Sequence, residues 1–274
     1  MTVARRAGAA LVLGVVVAFL VVPVVALFIE APLGDLPSLL RRQEVKDAIW
    51  VTVKTNLAAN VLIVGLGTPA AWILATRRFR GRAAILTLCE LPLVLPPAVA
   101  GIALLSAYAQ GGAFGGALED LGIVLPFGPW AVVIAVAFVA SPFYLRQAVA
   151  TFSEVDGDLT DVARTLGASR TRTFWRIVLP LAAGGLVAGW VLAFARGVGE
   201  FGATIIFAGN IQGRTQTLTL AVYQQLDSDI DVALALGVLL VALSAAVLVS
   251  YKLLGAWRSS TWTSPAGFAP SRST

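Results

Sequence analysis

Apolar residues along this chain come in long unbroken blocks rather than in stripes of period 3.6 or 2. Blocks of about 18 or more apolar residues are long enough to cross a bilayer as helices. Six such regions can be read, at about 8–29, 48–75, 84–108, 127–149, 177–207 and 231–254. Each is near or above the ~20 residues that cross ~30 Å of hydrocarbon. The expected fold class is therefore all-α and membrane-embedded, with six transmembrane helices. The third region, "ELPLVLPPAVAGIALL", contains Pro92, Pro96 and Pro97. These free backbone carbonyls and exclude a straight helix. Such breaks are tolerated where neighbouring helices or a water-lined cavity satisfy the backbone. That makes the third region a candidate pathway or gate helix, with a merely kinked packing helix as the alternative. The fifth would be ~46 Å long if fully helical. The stretch "GVGEFG" inside it (197–202) offers a bend, and an outer vestibule would use the excess equally well.

Between the fourth and fifth regions the pattern changes. "DVARTLGASRTRTFWRIVLP" (161–180) holds one acid and four arginines. The spacing predicts two short helices with a break. Asp158 is placed to cap the first, with Asp161 three residues on in a capping-box-like position. Gly167 can end that helix in a left-handed conformation, and Ser169 can cap the second. Pro180 then falls near the start of the next span, where a missing N–H costs least. A compact polar elbow tied to a membrane helix suits a docking element. Ala163 and Gly167 would permit close approach, and Asp161 and the arginines would supply polar contacts. An ordinary loop whose arginines only set topology fits the same residues.

Composition supports the membrane reading. The 274 residues are 58% hydrophobic and 13% charged, against about 25% charged in a soluble domain. The net charge of +5 is no nucleic-acid signal, because the basic residues cluster in short loops, as the positive-inside rule expects. Arg5, Arg6, the "TRRFRGR" loop (Arg77, Arg78, Arg80, Arg82), Arg146, the elbow and the tail hold most of them. Arg41, Arg42, Lys46 and Arg214 lie in the opposite loops. This asymmetry predicts both termini and the elbow on the cytoplasmic side of a multi-pass inner-membrane protein. Trp50, Trp72, Trp130 and Trp257 fall at span ends, where amphipathic rings settle. The apolar run after Arg5 and Arg6 exceeds the ~7–15 residues of a signal-peptide core and contains Pro23, so an uncleaved first span is expected. The tail past Trp262, rich in Ser, Pro, Gly and Thr, reads as disordered.

Chemistry is sparse. There is no histidine and one cysteine, Cys89, so neither a disulfide nor a histidine-based metal site or general base is expected. No G-x-x-x-x-G-K-[ST] stretch occurs, so the chain has no P-loop of its own for ATP. The main intramembrane charges are Lys54, Glu90, Arg196 and Glu200. Such groups avoid lipid and mark pairs or pathways. Arg196 and Glu200 stand four apart on one helical face, either as a structural ion pair or with Arg196 facing a passing oxyanion. Thr52, Asn56 and Asn60 form a polar stripe expected to face the bundle interior. Gln212, Arg214, Thr215, Gln216 and Thr217 follow the fifth span and could meet a delivering protein.

The elbow resembles a cytoplasmic motif of ATP-binding-cassette importer permeases: E-A-A-x-x-x-G, nine residues, then I-x-L-P. Here Asp161-Val162-Ala163, Gly167 and Ile177-Val178-Leu179-Pro180 stand at that spacing, with Asp for Glu and Val for the first Ala. Residues 91–105 and 194–223 ("FARGVGEFGATIIFAGNIQGRTQTLTLAVY") are similar to molybdate permease subunits, with sulfate and tungstate permeases as relatives. The likeness covers about 45–255. It implies a type I importer permease fold with cytoplasmic coupling helices, organised as an N-terminal span and outer loop (1–46), a permease core (47–255, coupling segment 158–175) and a tail (256–274). It implies a non-catalytic subunit with no cofactor of its own. The expected partners are a second copy of the chain, a cytoplasmic ATPase dimer that binds the ATP, an extracytoplasmic oxyanion-binding protein and membrane lipid. ATPase coupling would fall to Asp161, Ala163, Arg164, Gly167, Ala168 and Pro180, and the pathway or gate to Asn56, Asn60, Pro96, Pro97, Arg196, Glu200 and Thr204. An ion-coupled transporter using Glu90, Arg196 and Glu200 and a membrane-embedded enzyme are the rival readings. For the enzyme, paired carboxylates at a catalytic spacing are missing.

Overall fold

The computed structural model describes the backbone of residues 3–260 and the side chains of 8–250; the tail predicted to be disordered lies outside them past residue 260. Within this range the chain is helical, with helices α1 (Val3–Glu30), α2 (Leu36–Leu39), α3 (Gln43–Thr76), α4 (Arg82–Val94), α5 (Pro97–Tyr108), α6 (Gly115–Asp120) and α7 (Pro129–Ser153) in the first half. The second half holds α8 (Gly157–Thr165), α9 (Arg170–Thr173), α10 (Leu179–Val198), α11 (Gly202–Phe207), α12 (Leu218–Gln225) and α13 (Ile230–Ser260). Five stretches are long and apolar enough to cross a membrane: Gly8–Glu30, Gln43–Thr76, Pro129–Ser153, Arg170–Val198 and Ile230–Ser250.

The sixth expected span is not one rod. α4 and α5 meet at 116°. Pro96 and Pro97 explain the angle. A residue before proline is pushed out of the helical region, and Leu95 and Pro96 both take extended backbone, with ψ of 131° and 136°. Pro97 then opens α5 at a position where its missing N–H costs nothing.

The fifth span also differs from its expected course. It begins at Arg170, well before Pro180, and runs through a π-helical turn at Phe174–Val178. Leu179 N–H reaches back five residues to the Phe174 carbonyl. Proline at 180 cannot donate to the carbonyl four residues before it and crowds it, and the wider turn accommodates this without ending the helix. At the other end the span stops at Val198, and the short α11 follows after a three-residue break.

α7 forms the axis of the packing, with α3 and α10 against it. Its buried face is built of small residues, Ala131, Ala135, Ala140 and Ala148, which let neighbouring backbones approach. Glycines serve the same end. A Cβ at Gly197 would collide with Asn56 Oδ1 and come within 2.8 Å of Val136 Cγ1, and one at Gly67 would lie 2.9 Å from Tyr144. Gly197→Ala is therefore expected to destabilise the protein by about 1–3 kcal/mol through overpacking. Gly184→Ala, with open space at its Cβ, is expected to be neutral or slightly stabilising. Thermal denaturation of the two variants in detergent checks this. α1 touches the rest mainly through α13; its apolar side chains from Leu11 to Val25 are exposed, as in a helix surrounded by lipid, and Leu27 and Phe28 are partly covered.

Candidate functional site

Two features stand out: a pair of helix breaks that meet inside the bundle, and an elbow at one end of it. The first break is the α4–α5 corner, and the second is Gly199–Phe201 between α10 and α11. They touch directly, because α5 packs on α11 and a Cβ at Gly202 would run into Pro97. Gly101 on α5 is equally close to Ala203 and Ile206, at about 2.8–3.1 Å from an added Cβ. The sequence left open whether the fifth span breaks near Gly197–Gly202; it does.

Glu200 holds the second break. Its Oε1 accepts from the Ala203 N–H at 2.8 Å, satisfying an orphan donor at the start of α11. Its Oε2 lies 2.8 Å from Arg196 Nη2 across one helical turn. The Glu200 carbonyl accepts from the Thr219 hydroxyl at 2.6 Å, which brings in α12. The Glu200 side chain is 1% exposed and that of Arg196 28%. The other side of Arg196 faces a cavity of about 150 Å³ lined by Pro92, Leu95, Pro97 and Phe143. Pro97 and Arg196 thus share one small cavity, and Pro96 forms the adjoining corner. Thr204 is fully buried beneath them, and its hydroxyl finds no partner.

The polar stripe on α3 binds helices together. Thr52 Oγ1 accepts from Leu218 N–H at 2.8 Å, and Asn56 Nδ2 donates to the Phe194 carbonyl at 3.2 Å. Asn60 donates to Asn56, while its own Oδ1 is buried without a partner beside a groove of about 570 Å³ between α3 and α10. Glu90 and Arg146 form a looser pair, 3.8 Å apart with both side chains exposed. Lys54 is exposed on α3, one turn from exposed Trp50. Thr215, Gln216 and Thr217, expected in an exposed loop, are buried, and Gln216 donates to Gln224 at 2.6 Å. In that loop Ile211, Gln212, Gly213 and Arg214 are the exposed residues.

The elbow is α8, a turn and α9. Asp156, not Asp158, caps α8: its carboxylate accepts from the Asp158 N–H at 2.9 Å. Asp158 falls one residue inside the helix, where its charge still favours the N-terminus. Gly167 has φ +83° and closes the helix with Ala168 N–H on the Ala163 carbonyl and Gly167 N–H on that of Arg164, a Schellman arrangement. Ser169 caps α9 as expected, accepting from Arg172 N–H.

Ala163 is not presented to a partner; it is 8% exposed and turned into the chain itself. The outward face is instead Leu159, Val162 and Leu166, 47%, 57% and 82% exposed, spaced three and four apart on one face. The sequence reading missed this stripe, although its spacing was there to be read. Above the elbow, Trp72 packs edge-on to Phe152 and tilted against Phe174, both at 5.4 Å between centroids. Trp72 thus stands near its span end, as expected, but is half-buried in an aromatic cluster. It links α3, α7 and the π turn directly over α8 and α9.

Solved structures share this fold. The chain is similar to a chain of a bacterial alginate ABC transporter in complex with a periplasmic binding protein (TM-score 0.72, 15% identity, 88% of this chain and 91% of that one). It is also similar to one of the MetNI methionine ABC transporter (TM-score 0.59, 18% identity, 76% and 92%). Such identities carry the fold alone. The spans, paired breaks and elbow define a permease subunit of the type I importer fold. More narrowly, the chain belongs to the binding-protein-dependent transport system inner membrane component family, whose sequence model matches residues 64–259. Among relatives, "Molybdenum transport system permease protein ModB" of Mycobacterium tuberculosis is 42% identical over 233 residues, 85% of this chain and 88% of that protein. The Escherichia coli protein of the same name is 40% identical over 178 residues, 65% and 78% of the two chains. A "Probable sulfate transport system permease protein cysT" of Chlorokybus atmophyticus is 33% identical over 82% of this chain and 80% of its own length.

Proposed function

We propose that the chain moves molybdate inward across the bacterial cytoplasmic membrane, as a homodimer coupled to a separate ATPase dimer and fed by an extracytoplasmic binding protein. The observation that carries this is the 42% identity with a molybdenum permease over 85% of the chain. It agrees with the elbow at the end of α3 from which the basic 77–82 loop also departs. That end is assigned to the cytoplasm, with both termini. The opposite end, where Gln212 donates to Asp47 and Arg42 contacts Asp229, is assigned to the outside and to the binding protein.

In this reading ATP binding closes the ATPase dimer on the two elbows and draws them together. The movement reaches α3 and α7 through the Trp72–Phe152–Phe174 cluster and tilts α10 as a rigid body. The paired breaks then change their contact, with Pro96, Pro97 and Thr204 at the moving seam. The chain carries out no bond chemistry; ATP is bound and hydrolysed by the partner.

The spans carry few cations, so affinity resides in the binding protein. The purified permease alone is expected to bind molybdate no better than the micromolar range; submicromolar binding by calorimetry would contradict a weak path. The anion is tested by uptake of labelled molybdate into cells bearing the whole system. Excess tungstate or molybdate is expected to compete, and excess sulfate to leave uptake nearly unchanged. Efficient competition by sulfate would instead move the protein to the sulfate relatives. The 33% identity with a sulfate permease keeps that second reading specific.

A further inference from the structure

A crevice of about 350 Å³ lies between the end of α3 and the elbow, lined in part by Arg77, Arg164 and Arg170. No carboxylate lines it. Arg77 and Arg170 make no ion pair among the described residues, and Arg164 has only Asp161, exposed and 3.9 Å away. Three arginines lining one crevice without an acid repel one another, and an anion relieves that. Thr160 also lines the wall, and Trp72 and Phe174 add an aromatic surface.

The crevice is separate from the docking stripe. At 100° per residue, Thr160 and Arg164 stand roughly 125–165° around α8 from the centre of Leu159, Val162 and Leu166. A partner gripping the stripe therefore leaves this side free. The position fits the headgroup level: Thr76 is the last residue of the α3 span, and exposed Trp175 stands next to Phe174. The volume far exceeds what a bare tetrahedral oxyanion needs, and the aromatic wall suits glycerol and acyl carbons.

We propose that the crevice holds the phosphate headgroup of an anionic phospholipid of the inner leaflet, with Arg77, Arg164 and Arg170 as its cationic contacts. Guanidinium forks match phosphate oxygens with paired, charge-assisted hydrogen bonds. Basic pockets between spans on the cytoplasmic side are suited to such headgroups. The bound lipid ties the end of α3 to α8 and α9 and sets the resting angle of the elbow. The proposal takes from the preceding section only the assignment of this end to the cytoplasm.

The test uses the full chain, with its ATPase subunits, in nanodiscs of equal phosphatidylglycerol and phosphatidylcholine, and native mass spectrometry to count retained lipid. The wild type is expected to retain phosphatidylglycerol selectively. Arg77→Gln with Arg170→Gln is expected to cut that retention about tenfold while still assembling with the ATPase. Arg77→Lys with Arg170→Lys is expected to keep part of it, and Arg41→Gln with Arg42→Gln at the other end to change nothing. Unchanged retention in the double glutamine variant overturns the proposal. So does loss of ATPase assembly with the lipid count intact, which would give these arginines to a protein acid. Displacement of the lipid by millimolar inorganic phosphate also overturns it, in favour of a free ion. Lipid is counted on the permease whether or not the ATPase stays bound, so failure of the wild type to assemble counts against the function and not against the site.

Discussion

Leu166→Asp is expected to abolish stable assembly with the ATPase and with it energised uptake, while leaving the permease folded. Leu166 is the most exposed large apolar residue of the elbow, at 82%. An exposed position contributes little to the fold, so thermal denaturation of the isolated permease should stay within about 0.5 kcal/mol of the wild type. At a docking surface the same residue is a natural anchor. Truncating such an anchor costs about 2 kcal/mol or more, roughly thirtyfold in affinity, and a buried unpaired carboxylate costs further. Leu166→Ala should therefore weaken co-purification measurably and Leu166→Asp should eliminate it. Val162→Asp on the same stripe should behave alike. Gly167→Ala is expected to do less, since open space surrounds that position and only the φ of +83° is strained, at about 1–2 kcal/mol. If Leu166→Asp still co-purified with the ATPase at wild-type yield, the stripe would not be the docking face.

The docking face shows where reading the chain worked and where it stopped. The existence of the elbow was legible, because Gly167 and Ser169 carry local rules: only a residue tolerant of positive φ closes α8, and a hydroxyl caps α9. The direction the elbow faces was not legible. Ala163 lies in α8 and Leu166 caps its C-terminal end, and which is covered depends on how α9 and the π turn fold back. That is a tertiary fact. The cap was displaced from Asp158 to Asp156 for a smaller reason, since two aspartates two residues apart both fit the rule. The spans followed from block length alone. The third bent by 116° because consecutive prolines leave two extended residues rather than one kink. The fifth did not start near 177 but at Arg170, since a π turn joins α9 to α10 and carries the helix up to Pro180. The belt rule put Trp72 near its span end, where it lies, but could not show its packing on aromatic neighbours 80 and 102 residues away. The i,i+4 spacing did reach the Arg196–Glu200 pair, but the links of Thr52 to Leu218, Asn56 to Phe194 and Glu200 to Ala203 and Thr219 cross between elements or over a helix break, and no spacing rule reaches them.

Arg196→Gln is expected to destabilise the permease by about 3–5 kcal/mol, the cost of leaving a buried charge without its partner. The carboxylate left behind is 1% exposed and bound through Oε1 to the start of α11, so it cannot turn to water without breaking that helix start. Glu200→Gln should cost much less. Its amide oxygen can still accept from Ala203 N–H, and the remaining arginine is 28% exposed toward a cavity where water can reach it. The double variant, Arg196→Gln with Glu200→Gln, should then recover most of the stability lost in Arg196→Gln alone, a coupling of at least about 2 kcal/mol in the cycle. Reversing the pair, Arg196→Glu with Glu200→Arg, should not recover it, because arginine cannot accept from the Ala203 N–H. This sets the structural role of the pair against a role in conduction. If the pair only pins the break between α10 and α11, uptake in each variant follows the amount of folded protein. A double glutamine variant with wild-type melting but no uptake would place the Arg196 charge on the path of the anion. Equal melting of Arg196→Gln and the wild type would remove the pair from the architecture altogether.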